Sequence, residues 1–329
     1  MARSEIPQFR HHVEFTLFKG AERLLAAFPL STVQTLGRGL GLLFYALDAK
    51  HRRIVRDNLR EADLEPRWTG DEAAVRYLTR SCFKHFGELF LSAIPLLGMD
   101  EEELDRHVKV EGLEHFDTAR ASGRGFIQLT GHYGNWEAVA LGQSRHGRSL
   151  AVIARELGNP LLQPELDRFR TRFGNEVINK DGAVRETVKA LRAGKGVGFL
   201  LDQDALTMGV WVRFLGRWAS TFPTAGNMAV RFKLPILPVF SWPNGDGTVT
   251  VRFEAPFDVP QTGDSERDAW TATQMMTARI EAQIRKDPRW WFWLHRRFKT
   301  QPDLPGSPPL PSQDWVESGL ALGTFTARG

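Results

Sequence analysis

A histidine and an acidic residue near the middle of the chain have the residue types and spacing that general-base chemistry uses. In GFIQLTGHYGNWE, His132 follows an apolar run and Glu137 comes five positions later. A carboxylate that holds an imidazole can fix its tautomer and favour its protonated form. With 9 histidines and 39 acidic residues among 329, chance alone produces about one such pair, and the chain has one. Two interpretations therefore remain open. His132 is either a general base held by Glu137, or an ordinary turn residue beside a glutamate that only complements the dipole of the following helix.

The elements around this pair decide whether the two side chains can meet. The apolar run Phe126 to Leu129 predicts a strand, Gly131 and Gly134 bracket a turn, and an amphipathic helix begins near Asn135 or Trp136. Five residues along a helix turn by about 140°, so His132 and Glu137 meet only if the histidine lies outside the helix. The carboxyl ends of strands in open α/β sheets are where ligands bind.

A second polar group follows another apolar run. Asp202, Gln203 and Asp204 come directly after the run Val197 to Leu201. Carboxylates at the end of a buried strand are frequent at functional edges, although the start of a polar loop is the ordinary explanation. If this strand neighbours the one before His132, both groups share one crevice.

The pattern of apolar residues predicts an α/β fold with a central, mostly parallel or mixed sheet flanked by helices, and an N-terminal helical region. We expect a helical, membrane-associating region over residues 1–100 and an α/β domain over 101–300. Residues 301–329 are rich in proline and are expected to be a poorly ordered tail. The five strand candidates are Phe126 to Leu129, Leu150 to Ile153, Val197 to Leu201, Ile236 to Phe240 and Val249 to Phe253.

The composition of the chain and the motifs that it lacks exclude several classes of function. A single cysteine, Cys82, excludes an internal disulfide, and a net charge of +4 is too small for a dedicated nucleic-acid binder. The chain has no G-x-S-x-G, H-E-x-x-H or Walker motif, and we expect no metal and no cofactor. A signal peptide is not expected, and no apolar stretch reaches the roughly 20 residues that span a bilayer.

Two basic patches suggest contact with a membrane surface. Arg52, Arg56 and Arg60 are spaced by four on a predicted helix directly after the apolar segment Leu36 to Leu47. Such a face attracts anionic headgroups, although a solvated helix face is the commoner explanation for a charge run. The second patch, RWWFWLHRRFK from Arg289 to Lys299, combines aromatic and cationic residues in the way interfacial segments do. Stacking on nucleic acid is its rival interpretation, and we expect no nucleic-acid partner.

Five blocks in order carry a resemblance to a known family. They are GHYGNWE, RELGNP from Arg155 to Pro160, Asp202 with Gln203, the FLG of Phe214 to Gly216, and HRRFK from His295 to Lys299. Over roughly Phe15 to Thr300 this chain resembles the bacterial lipid A late acyltransferases, the lauroyl and myristoyl type.

The resemblance implies an enzyme that takes an acyl chain from acyl carrier protein or acyl-CoA and esterifies a hydroxyl of a lipid A precursor or related glycolipid. It implies His132 as the general base and Glu137 as its partner. Arg155, Asn159, Asp202 and Gln203 would bind substrate, with Arg155 holding an anion. The protein would work at the cytoplasmic face of the inner membrane, attached peripherally or monotopically.

Two alternative functions remain open. One is an acyltransferase of the same superfamily that acts on a phospholipid or an aminolipid. The other is a non-catalytic lipid-binding protein in which the same residues are structural. Substitution of His132 separates the second alternative from an enzyme, because a scaffold has no turnover to lose.

Overall fold

The structure, a computed structural model, describes residues 8–179 and 182–323. Its first part is helical, as the sequence predicts for the N-terminal region. A capped start is visible in the longest of these helices, where the Asp71 side chain accepts a hydrogen bond from the Ala74 N–H at 2.7 Å. The six helices are α1 (Phe9–Ala26), α2 (Leu30–Leu47), α3 (Ala49–Glu61), α4 (Pro66–Thr69), α5 (Glu72–Gly98) and α6 (Glu101–His107).

Helix α5 turns a broad apolar face toward the protein interior for most of its length. Val75, Leu78, Cys82 and Phe83 are buried and belong to the same core cluster as the central strands. Phe90, on the same helix, is in contrast 61% exposed. The N-terminal helical region therefore packs into the core of the α/β part.

Helix α2 contains the apolar segment predicted to approach a membrane. It crosses α5 at close range through glycines, since a methyl group at Gly37 would come within 2.6 Å of the Gly87 carbonyl oxygen. Its other side exposes large apolar residues: Leu36, Leu43, Phe44 and Leu47. Among the described residues, no helix is both long enough and apolar enough to cross a membrane.

The Arg52, Arg56 and Arg60 face of α3 differs from the open cationic surface that the sequence suggested. Arg52 donates to the carbonyl oxygens of Tyr45 and Ala46, and Arg56 donates to the Tyr45 hydroxyl at 3.3 Å. Arg60 makes a two-point contact with Glu72, at 2.8 and 3.0 Å. These arginines bind the neighbouring helices because the start of α5 and the end of α2 bring acceptors within their reach.

The second part of the chain is a seven-stranded mixed sheet covered by helices, which confirms the predicted fold class. Its strands are β1 (Val108–Glu111), β2 (Phe126–Thr130), β3 (Ala151–Ala154), β4 (Glu176–Asn179), β5 (Gly196–Leu200), β8 (Ile236–Pro243) and β9 (Val249–Phe253). Their order in the sheet is β1-β9-β8-β2-β5-β3-β4, and every neighbouring pair is parallel except β8 with β9. The helices are α7 (Leu113–Ala121), α8 (Trp136–Arg145), α9 (Gln163–Thr171), α10 (Ala183–Arg192), α11 (Thr224–Phe232) and α12 (Ser265–Lys286).

All five predicted strand runs are strands, because buried parallel strands read as continuous apolar sequence. β2 is buried at every residue. A separate antiparallel hairpin, β6 (Val210–Phe214) and β7 (Arg217–Thr221), was not predicted. The FLG block forms its turn, with Leu215 and Gly216 both at positive φ. This block therefore shapes a hairpin.

The C-terminal segment differs from the poorly ordered tail expected over residues 301–329. Trp211 Nε1 donates to the Pro308 carbonyl oxygen at 2.8 Å, which fastens the proline-rich stretch to β6. A further helix, α13 (Gln313–Gly323), packs on α12, where Trp315 lies 6.1 Å from Trp270 between ring centroids. The proline-rich composition of this segment predicted disorder because composition alone does not reveal tertiary contacts of this kind. Residues 324–329 lie outside the described part.

Candidate active site

Two neighbouring strands bring the candidate residues to one edge of the sheet. β2 and β5 are parallel, and Thr130 lies beside Leu200 in their register. His132 comes two residues after Thr130, and Asp202 comes two residues after Leu200, so both side chains lie at the same carboxyl edge of the sheet. The crevice that the sequence made conditional on neighbouring strands is therefore present.

His132 is held by Asp202 through both its ring and its backbone. The His132 Nδ1 lies 2.8 Å from Asp202 Oδ1, and the His132 backbone N–H donates to Asp202 Oδ2 at 2.6 Å. The indole N–H of Trp291 donates to the same Oδ2 at 2.8 Å. Three contacts on one carboxylate fix the position of the imidazole ring.

The charge on Asp202 is stable despite its burial. Burial by itself raises the pKa of a carboxyl group, but the adjacent His132 and the hydrogen bonds from His132 and Trp291 lower the pKa of Asp202 to about 2. The carboxylate is thus ionised at neutral pH and accepts a hydrogen bond from His132 Nδ1, which must carry a proton. In a neutral ring this tautomer places the lone pair on Nε2, the nitrogen that can then take a proton.

The Nε2 side of the ring faces the Gln203 amide, and part of the ring is exposed. The His132 side chain is 18% exposed while that of Asp202 is 1% exposed, so the histidine alone reaches solvent. Gln203 Nε2 lies 3.3 Å from His132 Nε2, and the Trp136 ring meets the imidazole edge-on at 4.9 Å. A hydroxyl group that replaced Gln203 at Nε2 would be in hydrogen-bond reach of a base.

The turn that carries His132 is braced by the aromatic segment near the C-terminus. The Phe292 N–H donates to the His132 carbonyl oxygen at 3.0 Å, and the Gly134 N–H donates to the Trp290 carbonyl oxygen at 2.8 Å. Gly134 has φ of 59°, and any side chain there would collide with the Ser241 backbone, so the turn requires glycine.

This brace changes the interpretation of the segment from Arg289 to Lys299. Trp291, Trp293 and Arg297 are at most 1% exposed, so the core of the segment is not an interfacial patch. Arg297 donates to the carbonyl oxygens of Gln203, at 3.0 Å, and Ser220. Its burial lowers the pKa of the guanidinium to about 10, which still leaves it charged at neutral pH.

Glu137 does not pair with His132 in this structure. It lies in the first turn of α8, after the cap residue Asn135, and its carboxylate pairs with Arg170 of α9, with one contact at 3.2 Å. The expected histidine–glutamate contact is absent because the turn aims the imidazole at Asp202, on the neighbouring strand's loop. A catalytic role for Glu137 stays a prediction.

The family is decided by the match of a sequence model over most of the chain. The model described as "Bacterial lipid A biosynthesis acyltransferase" matches residues 4–300. The chain belongs to this family. It is accordingly an acyltransferase, and the resemblance drawn from five sequence blocks is confirmed.

Similar curated proteins fall into two groups by name. A "Lipid A biosynthesis acyltransferase" of Haemophilus influenzae is 27% identical over 92% of this chain and 97% of its own length. The "Lipid A biosynthesis lauroyltransferase" of Escherichia coli is 25% identical over 85% and 89%. A "Phosphatidylinositol mannoside acyltransferase" of Mycolicibacterium smegmatis is 24% identical over 84% and 88%.

The remaining predicted residues of this lipid A acyltransferase family member lie around the same edge. Arg155 follows β3, which neighbours β5, and is exposed. Asn159 is buried, and its amide donates to the His11 carbonyl oxygen at 3.1 Å and to Glu14 at 2.8 Å. Asn159 therefore attaches the loop after β3 to α1, and its binding of substrate stays a prediction.

Sequence reasoning missed two features of this site. It predicted that Asp202 binds substrate, whereas the Asp202 carboxylate contacts His132. It did not include Trp291 in the site. Both belong to segments that the sequence had singled out, the strand-end Asp202-Gln203 and the aromatic block. Among the described residues, no cluster of three or more histidine, cysteine or acidic side chains could hold a metal ion.

Proposed function

We propose that this protein transfers a fatty acyl chain from an acyl carrier protein thioester, or from acyl-CoA, to a hydroxyl of a lipid A precursor or related glycolipid. The observation that carries the proposal is the His132–Asp202 pair, with Nδ1 on a buried carboxylate and Nε2 beside the Gln203 amide on a side chain that is still 18% exposed. The same arrangement activates hydroxyl nucleophiles in other acyl-transfer enzymes.

The proposed reaction uses this pair in two proton transfers. His132 Nε2 removes the proton from the acceptor hydroxyl, and the oxygen attacks the thioester carbonyl carbon to give a tetrahedral oxyanion. The intermediate collapses with cleavage of the carbon–sulfur bond, and the departing thiolate takes the proton from the imidazolium. Asp202 stabilises the imidazolium between these two steps, and the products are an ester and a thiol.

An acyl-enzyme route through cysteine has no support. Cys82 is buried in the middle of α5, and burial raises the pKa of its thiol far above the usual range. A thiol in that setting does not form the thiolate that attack requires. Direct attack by the acceptor hydroxyl is therefore the route that the described residues support.

The names of the relatives support a glycolipid acceptor. The Haemophilus influenzae and Escherichia coli relatives are named for lipid A, and the Mycolicibacterium relative for phosphatidylinositol mannoside. These acceptors share a sugar part and a lipid part. Arg155, exposed at the sheet edge, is proposed to hold an anionic group of substrate through its planar guanidinium, and Gln203 to contact the reacting groups.

The proposed location is the cytoplasmic face of the inner membrane, with peripheral or monotopic attachment. Support comes from large apolar side chains left exposed on the first two helices, including Phe9 and Leu17 on α1 and Leu43 and Leu47 on α2. Apolar residues on a surface helix bind at the boundary between headgroups and acyl chains.

Mass spectrometry of membrane lipids tests the proposed reaction. Cells that express the wild type should contain a lipid whose mass is raised by one acyl group, and the mass step identifies both chain and acceptor. Cells that express folded His132→Ala should lack this species, since the variant loses its proton acceptor but little core volume. A product on a phospholipid or aminolipid would favour the alternative acyltransferase. An unchanged lipid profile with the wild type would favour a non-catalytic lipid-binding protein.

A further inference from the structure

A second cleft, of about 570 Å³, lies between α3 and the C-terminal end of the segment Arg289 to Lys299. Its volume falls in the range of small-molecule sites. Its walls carry five cations and two carboxylates: Lys50, Arg53, Arg217, Arg296 and Lys299, with Asp57 and Glu61. Neither the expected membrane face of α3 nor the acyl-transfer site uses these cations.

Most of the cations in this cleft lack a carboxylate partner. Arg217 is paired with Glu61. Lys50, Arg53, Arg296 and Lys299 make no ion pair within residues 8–179 and 182–323, and all four are exposed. Like charges that line one cleft repel each other, and an anionic ligand removes that repulsion.

The cleft is joined to the candidate active site through one short stretch of chain. Arg296, Phe298 and Lys299 line the cleft, while Arg297, between them, is buried and donates to the Gln203 carbonyl oxygen. On the opposite wall, Asn58 donates to the carbonyl oxygens of Trp293 and His295, at 2.9 and 3.0 Å. A ligand bound in the cleft therefore lies against the segment that braces the His132 turn.

The cleft also adjoins the exposed apolar end of α2. Phe44 and Leu47 are exposed, and Lys50 and Arg53 follow within two turns of α3. An apolar surface beside a cationic cleft matches a molecule that has an anionic group next to an aliphatic chain.

We propose that this cleft binds the phosphate of one of the two acyl-transfer substrates through Arg53, Arg296, Lys50 and Lys299. The phosphate belongs either to a lipid headgroup or to the phosphopantetheine arm of the donor, and both present the same anionic oxygens beside an extended chain. The proposal rests on the acyl transfer proposed above, because that reaction supplies both phosphate-bearing molecules.

Calorimetric titration of the whole protein with two pairs of soluble probes tests this site. The lipid pair is dioctanoyl phosphatidic acid and dioctanoylglycerol, and the donor pair is 4′-phosphopantetheine and pantetheine. Within at least one pair the phosphate compound should bind more tightly than its phosphate-free counterpart, and that pair identifies the source of the phosphate. The affinity should fall as salt is raised.

Substitutions connect this binding to the cleft. Arg53→Gln with Arg296→Gln should weaken phosphate binding about tenfold or more, since each basic residue contributes measurably to anion attraction. The corresponding lysine variant should retain most of the affinity. The matched control is Arg120→Gln with Arg124→Gln, because these exposed arginines precede β2, at the opposite edge of the sheet.

The outcomes separate this proposal from the proposed reaction. His132→Ala should bind the phosphate probe as the wild type does, since the cleft does not use His132. If neither phosphate compound binds better than its counterpart, or if the glutamine double variant binds like the wild type, the cleft proposal is wrong. Phosphate binding that persists in a wild type without turnover would contradict the reaction and leave the cleft in place.

Discussion

At the scale of single residues, the partner of His132 decides how its imidazole can act. Asp202 Oδ2 accepts N–H donors from the His132 backbone and from Trp291, which leaves Oδ1 for the ring Nδ1. An asparagine at position 202 would satisfy the two fixed donors with its single oxygen. Its amide N–H₂ would then face Nδ1 and force the proton onto Nε2, the nitrogen that has to accept one.

We therefore expect Asp202→Asn to lower kcat by roughly 10²- to 10⁴-fold with a small change in KM, as loss of the correct tautomer does elsewhere. Glu137→Gln should stay within several-fold of the wild type, because Glu137 contacts Arg170 and not the base. Steady-state kinetics of both variants, with thermal unfolding as a check on folding, measures the difference. A larger loss for Glu137→Gln than for Asp202→Asn would return Glu137 to the role that the resemblance assigned to it.

At the scale of elements, α5 contains a buried histidine that links stability to pH. His85 is 4% exposed and meets the Trp290 ring edge-on at 4.9 Å, beneath the brace of the His132 turn. Burial lowers the pKa of His85 from 6.5 to about 4. Between these values the unfolded chain binds a proton that the folded protein does not, so stability falls as pH drops through 6.5 toward 4.

The size of this effect can be measured by urea unfolding at pH 7 and pH 5. The two pKa values predict that His85 accounts for about 2 kcal/mol of the stability lost between these pH values. His85→Phe removes the titrating group and keeps an aromatic ring against Trp290. The pH dependence should become shallower by that amount in the variant. Identical slopes for the two proteins would show that His85 is not the group responsible.

At the scale of the whole molecule, the helices and the sheet share one core while the outer faces of α1 and α2 remain apolar. Core residues of α3 and α5, such as Val55 and Leu78, pack in the same cluster as Ile127 of β2. Leu43 and Leu47 of α2 are 52% and 72% exposed. The division into a helical region over residues 1–100 and an α/β domain over 101–300 stays a prediction, and the shared core argues that both parts unfold as one cooperative unit.

Flotation with anionic liposomes tests membrane attachment. We expect the wild type to float with the liposomes, and its binding to have one salt-sensitive and one salt-resistant component. Salt screens the attraction between cationic side chains and anionic headgroups, whereas apolar contacts do not weaken with salt. Leu43→Gln with Leu47→Gln should remove most of the salt-resistant component without lowering thermal stability. Leu304→Gln with Leu310→Gln, at similarly exposed sites in the C-terminal segment, is the matched control. A wild type that stays in the soluble fraction under every condition would refute membrane attachment.

The sequence by itself determined the central strands and the positions of the polar groups that follow them. Apolar runs such as Val197 to Leu201 are unambiguous because a strand covered on both faces has no polar side. The edge strand β4 (Glu176–Asn179) and the hairpin β6–β7 escaped prediction. β4 is partly exposed and has no continuous apolar run, and the hairpin depends on a turn at Leu215 and Gly216 with positive φ.

Only the tertiary structure decided which carboxylate pairs with His132. Glu137 is five residues away along the chain and Asp202 is seventy, yet β5 lies beside β2 and brings Asp202 into contact. The same holds for Trp291, which reaches Asp202 from near the end of the α/β part. Chain spacing gives residue types and local direction, whereas strand order sets which distant loops meet, and the chemistry of this site depends on that meeting.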